Sequence, residues 1–521
     1  MTPVQQSDVN KAAWDACDTF RGTIDAANYK DYILVFLFWK YLSDIWADEQ
    51  KQASQQYDGD EVRVRRRMSR FRFQIPDGAS FYDLYPRRNA ENLGELVNIA
   101  LEAIEDANLT KLEGVLTPVD FNSRNNLGET ADRNRRVKDL FDTFHKPALD
   151  FSPSRFSGKD TAEDVIGETY IYLISRFASD AGKKAGEFFT PRKVSELLVK
   201  LADPAPGNRI CDPACGSSTL LIRAAEYVAD KEGKEHASEA DVALFGQEAT
   251  NQTQALARMN MFLHGLDSAR IEWGDTLTNP KFLLEDSLMR FDRVIANPPF
   301  SLKKWGHEKA DGDRYHRYHR GIPPKSRGDY AFISHMVESA KPREGRVALI
   351  APHGVLFRGG TEGTIRQKLI EENLLDGVIG LPAQLFPSTG IPVCIVILDR
   401  AREKGGARAD ADTVMFIDAS REFDPGKKQN DLNEDHIKRI VDTFRAGEAV
   451  ERYAEPVTRE TIRENGYNLN IPRYVDTFEP EEQINVAEVQ REIVALEKQL
   501  AETRNRMNGF LKELGIEVEP L

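Results

Sequence analysis

The stretch Arg209-Ile210-Cys211-Asp212-Pro213-Ala214-Cys215-Gly216-Ser217-Ser218 decides the fold. It opens on a short apolar run, turns through small residues, and passes into Thr219–Val228, which is apolar at helical spacing. That is a strand, a tight turn and a helix, the opening of a βαβ unit. A turn of small residues lets a ligand approach the backbone closely. The helix behind it offers free N–H groups to a carboxylate. An ordinary strand–helix turn reads the same way, so the stretch fixes architecture before it fixes chemistry.

The same alternation continues downstream. Apolar runs at Val242–Gln247, Ala269–Trp273, Phe291–Ala296, Arg346–Ala351, Asp376–Leu381, Val393–Asp399 and Val414–Asp418 alternate with helical patterns. The expectation is an α/β core, doubly wound on a parallel sheet. Upstream, the first ~150 residues read as helical. Ala12 to Asp48 has helical spacing with no Pro and one Gly, Gly22, and more helix follows from Asn92 to Asn108. Residues 146–160 read as a linker.

Composition bounds the class. A chain of 521 residues has room for about three domains. Its four cysteines, Cys17, Cys211, Cys215 and Cys394, form no CxxC pair, which suits a reduced, cytoplasmic protein. The N-terminus is polar, unlike a signal peptide. The longest apolar run, Tyr32 to Trp39, is too short to cross a bilayer and is bounded by Lys30, Asp31 and Lys40. A net charge of −14 argues against a chain that coats DNA unaided, although local basic patches remain open.

A second motif, Asn297-Pro298-Pro299-Phe300, ends the run Phe291–Ala296 and carries chemistry. The adenine amine is a poor nucleophile because its lone pair is delocalised into the ring. Two acceptors on its two hydrogens favour a more tetrahedral nitrogen and aim the lone pair at a methyl donor. The Asn297 side-chain carbonyl and the Pro298 backbone carbonyl can serve. Pro298 and Pro299 stiffen the loop and remove competing donors. Phe300 can stack on a base taken out of the duplex. The plainer reading is a loop with a satisfied Asn and a buried Phe.

Taken together, the two motifs resemble those of the N6-adenine DNA methyltransferases, and most closely the modification subunit of type I restriction-modification systems. Gly186-Glu187-Phe188-Phe189-Thr190-Pro191-Arg192 is similar to that family's segment upstream of the donor turn. Phe20-Arg21-Gly22, Tyr29-Lys30 and Lys40-Tyr41-Leu42-Ser43-Asp44 resemble its helical domain, and Tyr467-Asn468-Leu469-Asn470 with Arg473-Tyr474 its late signature. The resemblance implies an S-adenosylmethionine-dependent enzyme that needs no metal. It implies that Gly186, Glu187, Phe188, Phe189, Thr190 and Pro191 help hold the donor. Asp212, Pro213, Ala214, Gly216 and Ser217 would lie on its methionine side. Glu248 would accept its ribose hydroxyls, and Asp275 would contact its adenine amine. Both acids also read as an ordinary cap and turn residue. Many members of the family carry Gly where this chain has Ser218; if that backbone needs a positive φ, Ser costs about 1 kcal/mol.

The segment 303–327 holds eight Lys and Arg against three acids, with Trp305, Tyr315 and Tyr318 interleaved. Beside a base-binding loop this suits backbone contact, with Lys303, Lys304, Arg314, Arg317, Arg320, Lys325 and Arg327 as the DNA-binding candidates. A solvated charged loop is the alternative. A second basic run holds Arg63, Arg65, Arg66, Arg67, Arg70 and Arg72. Near the C-terminus, Val489, Ile493, Leu496, Leu500, Thr503, Met507, Phe510 and Leu514 alternate spacings of four and three, a coiled-coil seam.

The expected organisation is a helical N-terminal domain over 1–150, a methyltransferase domain over 160–475 and a coiled-coil-like assembly helix over 480–521. Little chain follows the last core run, so a separate specificity subunit should read the DNA. DNA, a restriction subunit and a second copy of the chain complete the expected partners, with no membrane. Two rivals stay open. Related enzymes methylate a glutamine amide with a similar Asn-Pro-Pro-aromatic motif, where Tyr is more usual than Phe. A donor-binding scaffold without turnover is the other.

Overall fold

A computed structural model describes residues 5–21, 24, 26–156, 161–180, 190–238, 241–386, 390–427, 429–477 and 486–515. Gly22 and the expected donor residues Gly186, Glu187, Phe188 and Phe189 lie outside the described residues. The strands are β1 (Arg209–Asp212), β2 (Ala243–Glu248), β3 (Arg270–Trp273), β4 (Leu283–Leu284), β5 (Ser287–Leu288), β6 (Arg293–Ala296), β7 (Arg346–Pro352), β8 (Leu375–Gly380), β9 (Val393–Asp399), β10 (Thr413–Asp418) and β11 (Ala454–Thr458). Nine of them form one sheet in the order β11-β10-β8-β9-β7-β6-β1-β2-β3, and β4 and β5 make a small hairpin.

Period-2 alternation builds the two faces. Ile210, Leu244, Ile271, Ile295, Ile350 and Ile395 point into one core, beneath the helices Arg192–Ala202, Thr219–Lys231 and Glu434–Ala446. Their neighbours Cys211, Phe245, Val294, Ala296, Leu349 and Val396 point into the other, beneath Asp329–Ser339 and Thr361–Glu371. The crossovers lie on one face for β1 to β3 and on the other for β6 to β8, so the winding reverses between β1 and β6. In open α/β sheets that switch point is where ligands bind, outside the carboxyl ends of the strands. Here those ends carry Asp212 and Asn297.

The expected all-parallel sheet is corrected at two strands. β9 runs antiparallel to both β7 and β8, and β11 antiparallel to β10. The connection from β8 to β9 contains no helix among its described residues, and a parallel return needs a crossover of a dozen residues or more.

In the N-terminal region the helix Ala26–Gln56 is central. Its run from Tyr32 to Trp39 is buried on all sides rather than in lipid. Among the described residues no helix is long and apolar enough to cross a membrane. The Lys40–Asp44 motif has a structural task. Lys40 Nζ meets Asp44 Oδ1 at 2.6 Å and the Leu149 carbonyl at 3.0 Å, and the Phe151 N–H donates to Asp44 Oδ2 at 2.8 Å. Ser43 Oγ accepts from the Phe81 N–H at 2.9 Å. One helical turn thus pins two loops. The apolar core of this region also takes in the helix Ala162–Asp180 and, from the sheet domain, Leu256, Met259, Phe262 and Leu263. Residues 1–476 form one compact unit.

Among its described residues the second unit holds a single helix, Val486–Glu513. Val489, Ile493, Leu496, Leu500, Met507 and Phe510 are exposed on it.

Candidate active site

The donor turn is built from three sides. Asp212 ends β1, and its Oδ1 accepts from the Ala214 N–H at 2.9 Å. The Cys215 N–H donates to the Gln247 carbonyl at 3.0 Å, and Asn260 Nδ2 to the Ser217 carbonyl at 2.8 Å. Thr276 Oγ1 donates to the Pro213 carbonyl at 2.6 Å. The turn also packs tightly on β2: a Cβ on Gly246 would stand 2.9 Å from Cys215 Sγ. Asn260 was not singled out from sequence, although an Asn inside the apolar run Met259-Asn260-Met261-Phe262 is itself a signal.

Gly216 and Ser218 take φ values of +53 and +63. The left-handed conformation suspected at Ser218 is therefore present, and Ser carries its cost there. Ser218→Gly should stabilise the fold by about 1 kcal/mol, read as a higher melting temperature without donor. An unchanged or lower melting temperature would show that the Ser218 side chain offsets the strain.

Two carboxylates face this turn. Glu248 Oε2 accepts from the Gly216 N–H at 3.2 Å and Oε1 from the Thr250 N–H at 2.9 Å. Asp212 Oδ2 is buried without a hydrogen-bond partner among the described residues. Burial pushes the Asp212 carboxyl up to about 8; the Ala214 N–H opposes this and the charge of Glu248 adds to it. Burial likewise raises Glu248. Among the described residues no cationic side chain offsets this pair of acids. S-adenosylmethionine, with an ammonium group, a cationic sulfonium and ribose hydroxyls, fits such a site. Because Asp212 binds its proton more tightly folded than unfolded, its contribution to stability should decline as pH rises from about 4 to about 8. Asp212→Asn should flatten that decline in donor-free protein, as followed by melting across the pH range. An unaltered profile would move the titration to another group.

Asp275 caps its own turn: Oδ1 accepts from the Leu277 N–H and Oδ2 from Thr278 Oγ1, both at 2.9 Å. It lies next to Thr276, which holds Pro213, so the Asp275 turn and the donor turn are joined.

On the other side of the switch point, Asn297 follows β6. Its Nδ2 donates to Thr190 Oγ1 at 3.0 Å. Its Oδ1 is buried and has no hydrogen-bond partner among the described residues. The amide is thus oriented by the segment expected to hold the donor, with its carbonyl left for a ligand. Thr190 is buried, and Pro191 caps the helix Arg192–Ala202. Phe300 is half-buried, edge-on to Phe386 with ring centroids 6.3 Å apart. Phe386 was not marked from sequence, being one aromatic in a loop without a pattern.

The basic segment divides in two. Lys303, Lys304, Arg314, Lys325 and Arg327 are exposed. Arg317 and Arg320, grouped with them by sequence, are buried and 3% exposed each, which corrects their assignment to DNA. Arg317 pairs with Asp313 at 2.7 Å and donates to the Thr276 and Leu277 carbonyls at 3.1 and 2.8 Å. Arg320 is held between Glu338 at 2.8 Å and Glu372 at 2.6 Å. Trp305 and Tyr318 are buried against one another. These residues shape the segment from inside. In the other basic run, Arg67 pairs with Glu49 and Arg72 with Asp267, while Arg65, Arg66 and Arg70 are exposed. Cys211 and Cys215 are free buried thiols whose pKa values burial raises far above the ordinary range.

A small-residue turn faced by two carboxylates at one strand end and a buried amide carbonyl at the next give an arrangement suited to methyl transfer onto an amine. Comparison with known proteins gives the family. The N-6 DNA methylase family matches residues 161–483, and the HsdM N-terminal domain matches residues 9–144. The chain is 29% identical to the type I restriction enzyme MpnII methylase subunit of Mycoplasma pneumoniae, over 99% of this chain and 98% of that one. It is 32% identical to the MjaVII methylase subunit of Methanocaldococcus jannaschii, over 95% of this chain and 82% of that one. The crystal structure of a type I restriction-modification methyltransferase subunit from Streptococcus thermophilus shares 33% identity at a TM-score of 0.77, covering 91% of this chain and 100% of that one. The chain belongs to the methyltransferase subunits of type I restriction-modification systems and is an adenine-specific DNA methyltransferase.

Proposed function

We propose that the chain transfers the methyl group of S-adenosylmethionine to the N6 amine of adenine, at sites read by a separate specificity subunit. The observation that carries this is the buried, unpartnered carbonyl of Asn297, held in place through Thr190. The bound donor would supply an electrophilic methyl group on sulfur. Asp212 and Glu248 would hold its polar ends, with Gly216 giving it room and Asp275 lying at its adenine side. The chain's own work is placement. Asn297 Oδ1 and the Pro298 carbonyl accept the two amine hydrogens, and Phe300 stacks on the extruded base. Catalysis then rests on orientation and fixed dipoles rather than on a strong base.

Lys303, Lys304, Arg314, Lys325 and Arg327 would bind the DNA backbone beside the extruded base. The exposed seam of the helix Val486–Glu513 would pack on a helix of the specificity subunit, since a lone helix with such a stripe must bury it. A restriction subunit and a second copy of the chain would complete a cytoplasmic complex.

The test uses donor labelled in its methyl group, with the complex given DNA and protein substrates in competition. Label recovered in DNA supports the proposal. Label on a protein glutamine would overturn it in favour of amide methylation, and donor binding without any transfer would leave a scaffold.

A further inference from the structure

Pro298 and Pro299 deprive the catalytic loop of two backbone donors, so something outside the loop must hold its shape. That something is Asp329, the first residue of the helix Asp329–Ser339 and 5% exposed. Its Oδ1 accepts from the Ser301 N–H at 2.7 Å, and its Oδ2 lies 3.4 Å from Ser301 Oγ. Ser301 sits at φ +53, a left-handed conformation that a serine keeps only where its surroundings impose it. Asp329 is itself clamped. Arg358 Nη1 donates to its Oδ2 at 3.0 Å, and Glu362 lies 3.6 Å from the same guanidinium. The guanidinium rests over Gly354, where a Cβ would come within 2.3 Å of it. Arg366 fixes the next link by donating to the Arg358 carbonyl at 2.8 Å and to the Tyr467 carbonyl at 2.7 Å. Leu469 N–H donates to the Leu356 carbonyl at 2.8 Å. The late signature Tyr467-Asn468-Leu469-Asn470 thus joins the catalytic loop through two arginines and one aspartate.

We propose that Asp329, clamped by Arg358, is a positioning residue for methyl transfer. It holds Ser301 in its left-handed turn so that the Asn297 and Pro298 carbonyls converge on the target amine. The inference rests on the reading of Asn297 as an amine acceptor. Asp329 is buried and its carboxylate is taken up by Ser301 and Arg358, so its effect should fall on the rate of the chemical step and not on either affinity.

The experiment measures single-turnover methylation by the full-length chain in its complex, with donor and DNA affinities and melting temperature alongside. Asp329→Ala should slow methyl transfer on the order of 10²-fold, the scale of a displaced reacting group. Asp329→Asn keeps an acceptor for the Ser301 N–H and should lose less. Both should keep donor and DNA affinities within about twofold, as expected when only transition-state placement is lost. Gly354→Ala leaves Asp329 intact but displaces the Arg358 guanidinium, and should give an intermediate rate in a folded protein, which covers the case of an unfolded Asp329 variant. A wild-type rate in Asp329→Ala, or a wild-type rate in Gly354→Ala, would overturn the proposal. So would a rate loss matched by an equal loss of donor affinity. Asn297→Ala in parallel separates the two claims: if it stays active, the underlying acceptor reading fails, whereas an inactive Asn297→Ala beside a fully active Asp329→Ala sinks the positioning role alone.

Discussion

Asn297→Ala is expected to abolish methylation while leaving donor affinity within about twofold, because under the proposed function its carbonyl accepts from the target amine and not from the donor. The substitution removes one of the two buried acceptors at the switch point, the other being Asp212 Oδ2, that have no hydrogen-bond partner among the described residues. It also frees Thr190 Oγ1, which loses the amide it receives at 3.0 Å. Thr190 keeps its backbone place, since its carbonyl and that of Pro191 accept from Ser195 Oγ. Calorimetry with the donor checks the first half of the expectation and a turnover assay the second. Donor binding lost together with turnover would mean that Asn297 supports the cradle itself.

The second large effect is on the fold. Asp44→Ala should destabilise the compact unit by about 3–5 kcal/mol, because Lys40 would stay charged and buried with its partner gone. The Lys40 and Asp44 side chains are 2% and 0% exposed, so water cannot take the carboxylate's place. The Phe151 N–H and the Tyr82 hydroxyl would lose their acceptor as well. Replacing both charges, with Lys40→Met and Asp44→Leu, should restore only part of the loss, since an apolar pair needs no desolvation of charge but still leaves the Phe151 N–H and the Tyr82 hydroxyl without an acceptor. Denaturant melting of the two variants decides this. A single variant as stable as the wild type would show that the motif serves something other than the fold.

The limits of the sequence are instructive at particular residues. The expected runs found their strands because each alternates sides while both faces are apolar, as Val393 to Leu398 does between the two cores. The same uniformity hides direction, so nothing in Val393–Asp399 says that β9 runs backwards. β11 escaped notice because Pro456 interrupts Ala454–Thr458. That proline is tolerated since β11 is the edge strand and pairs on one side only. Basic residues in 303–327 could be counted but not sorted. What separates Arg317 and Arg320 from Lys303 is the presence of Asp313, Glu338 and Glu372, two of which arrive from distant elements. Likewise the bond from Asn297 to Thr190 joins two motifs far apart in the chain, and no spacing rule announces it.

The account stands or falls on what is methylated. The complex should be given a duplex with its target adenines, donor labelled in the methyl group, and time for one turnover, after which the DNA is hydrolysed to nucleosides and the label identified. The predicted result is N6-methyl-2′-deoxyadenosine as the labelled nucleoside with the wild-type chain, and none with Asn297→Ala. Label on a cytosine, on a ring nitrogen of adenine, or in equal amount with Asn297→Ala would contradict the central claim that this loop presents the adenine amine to the donor.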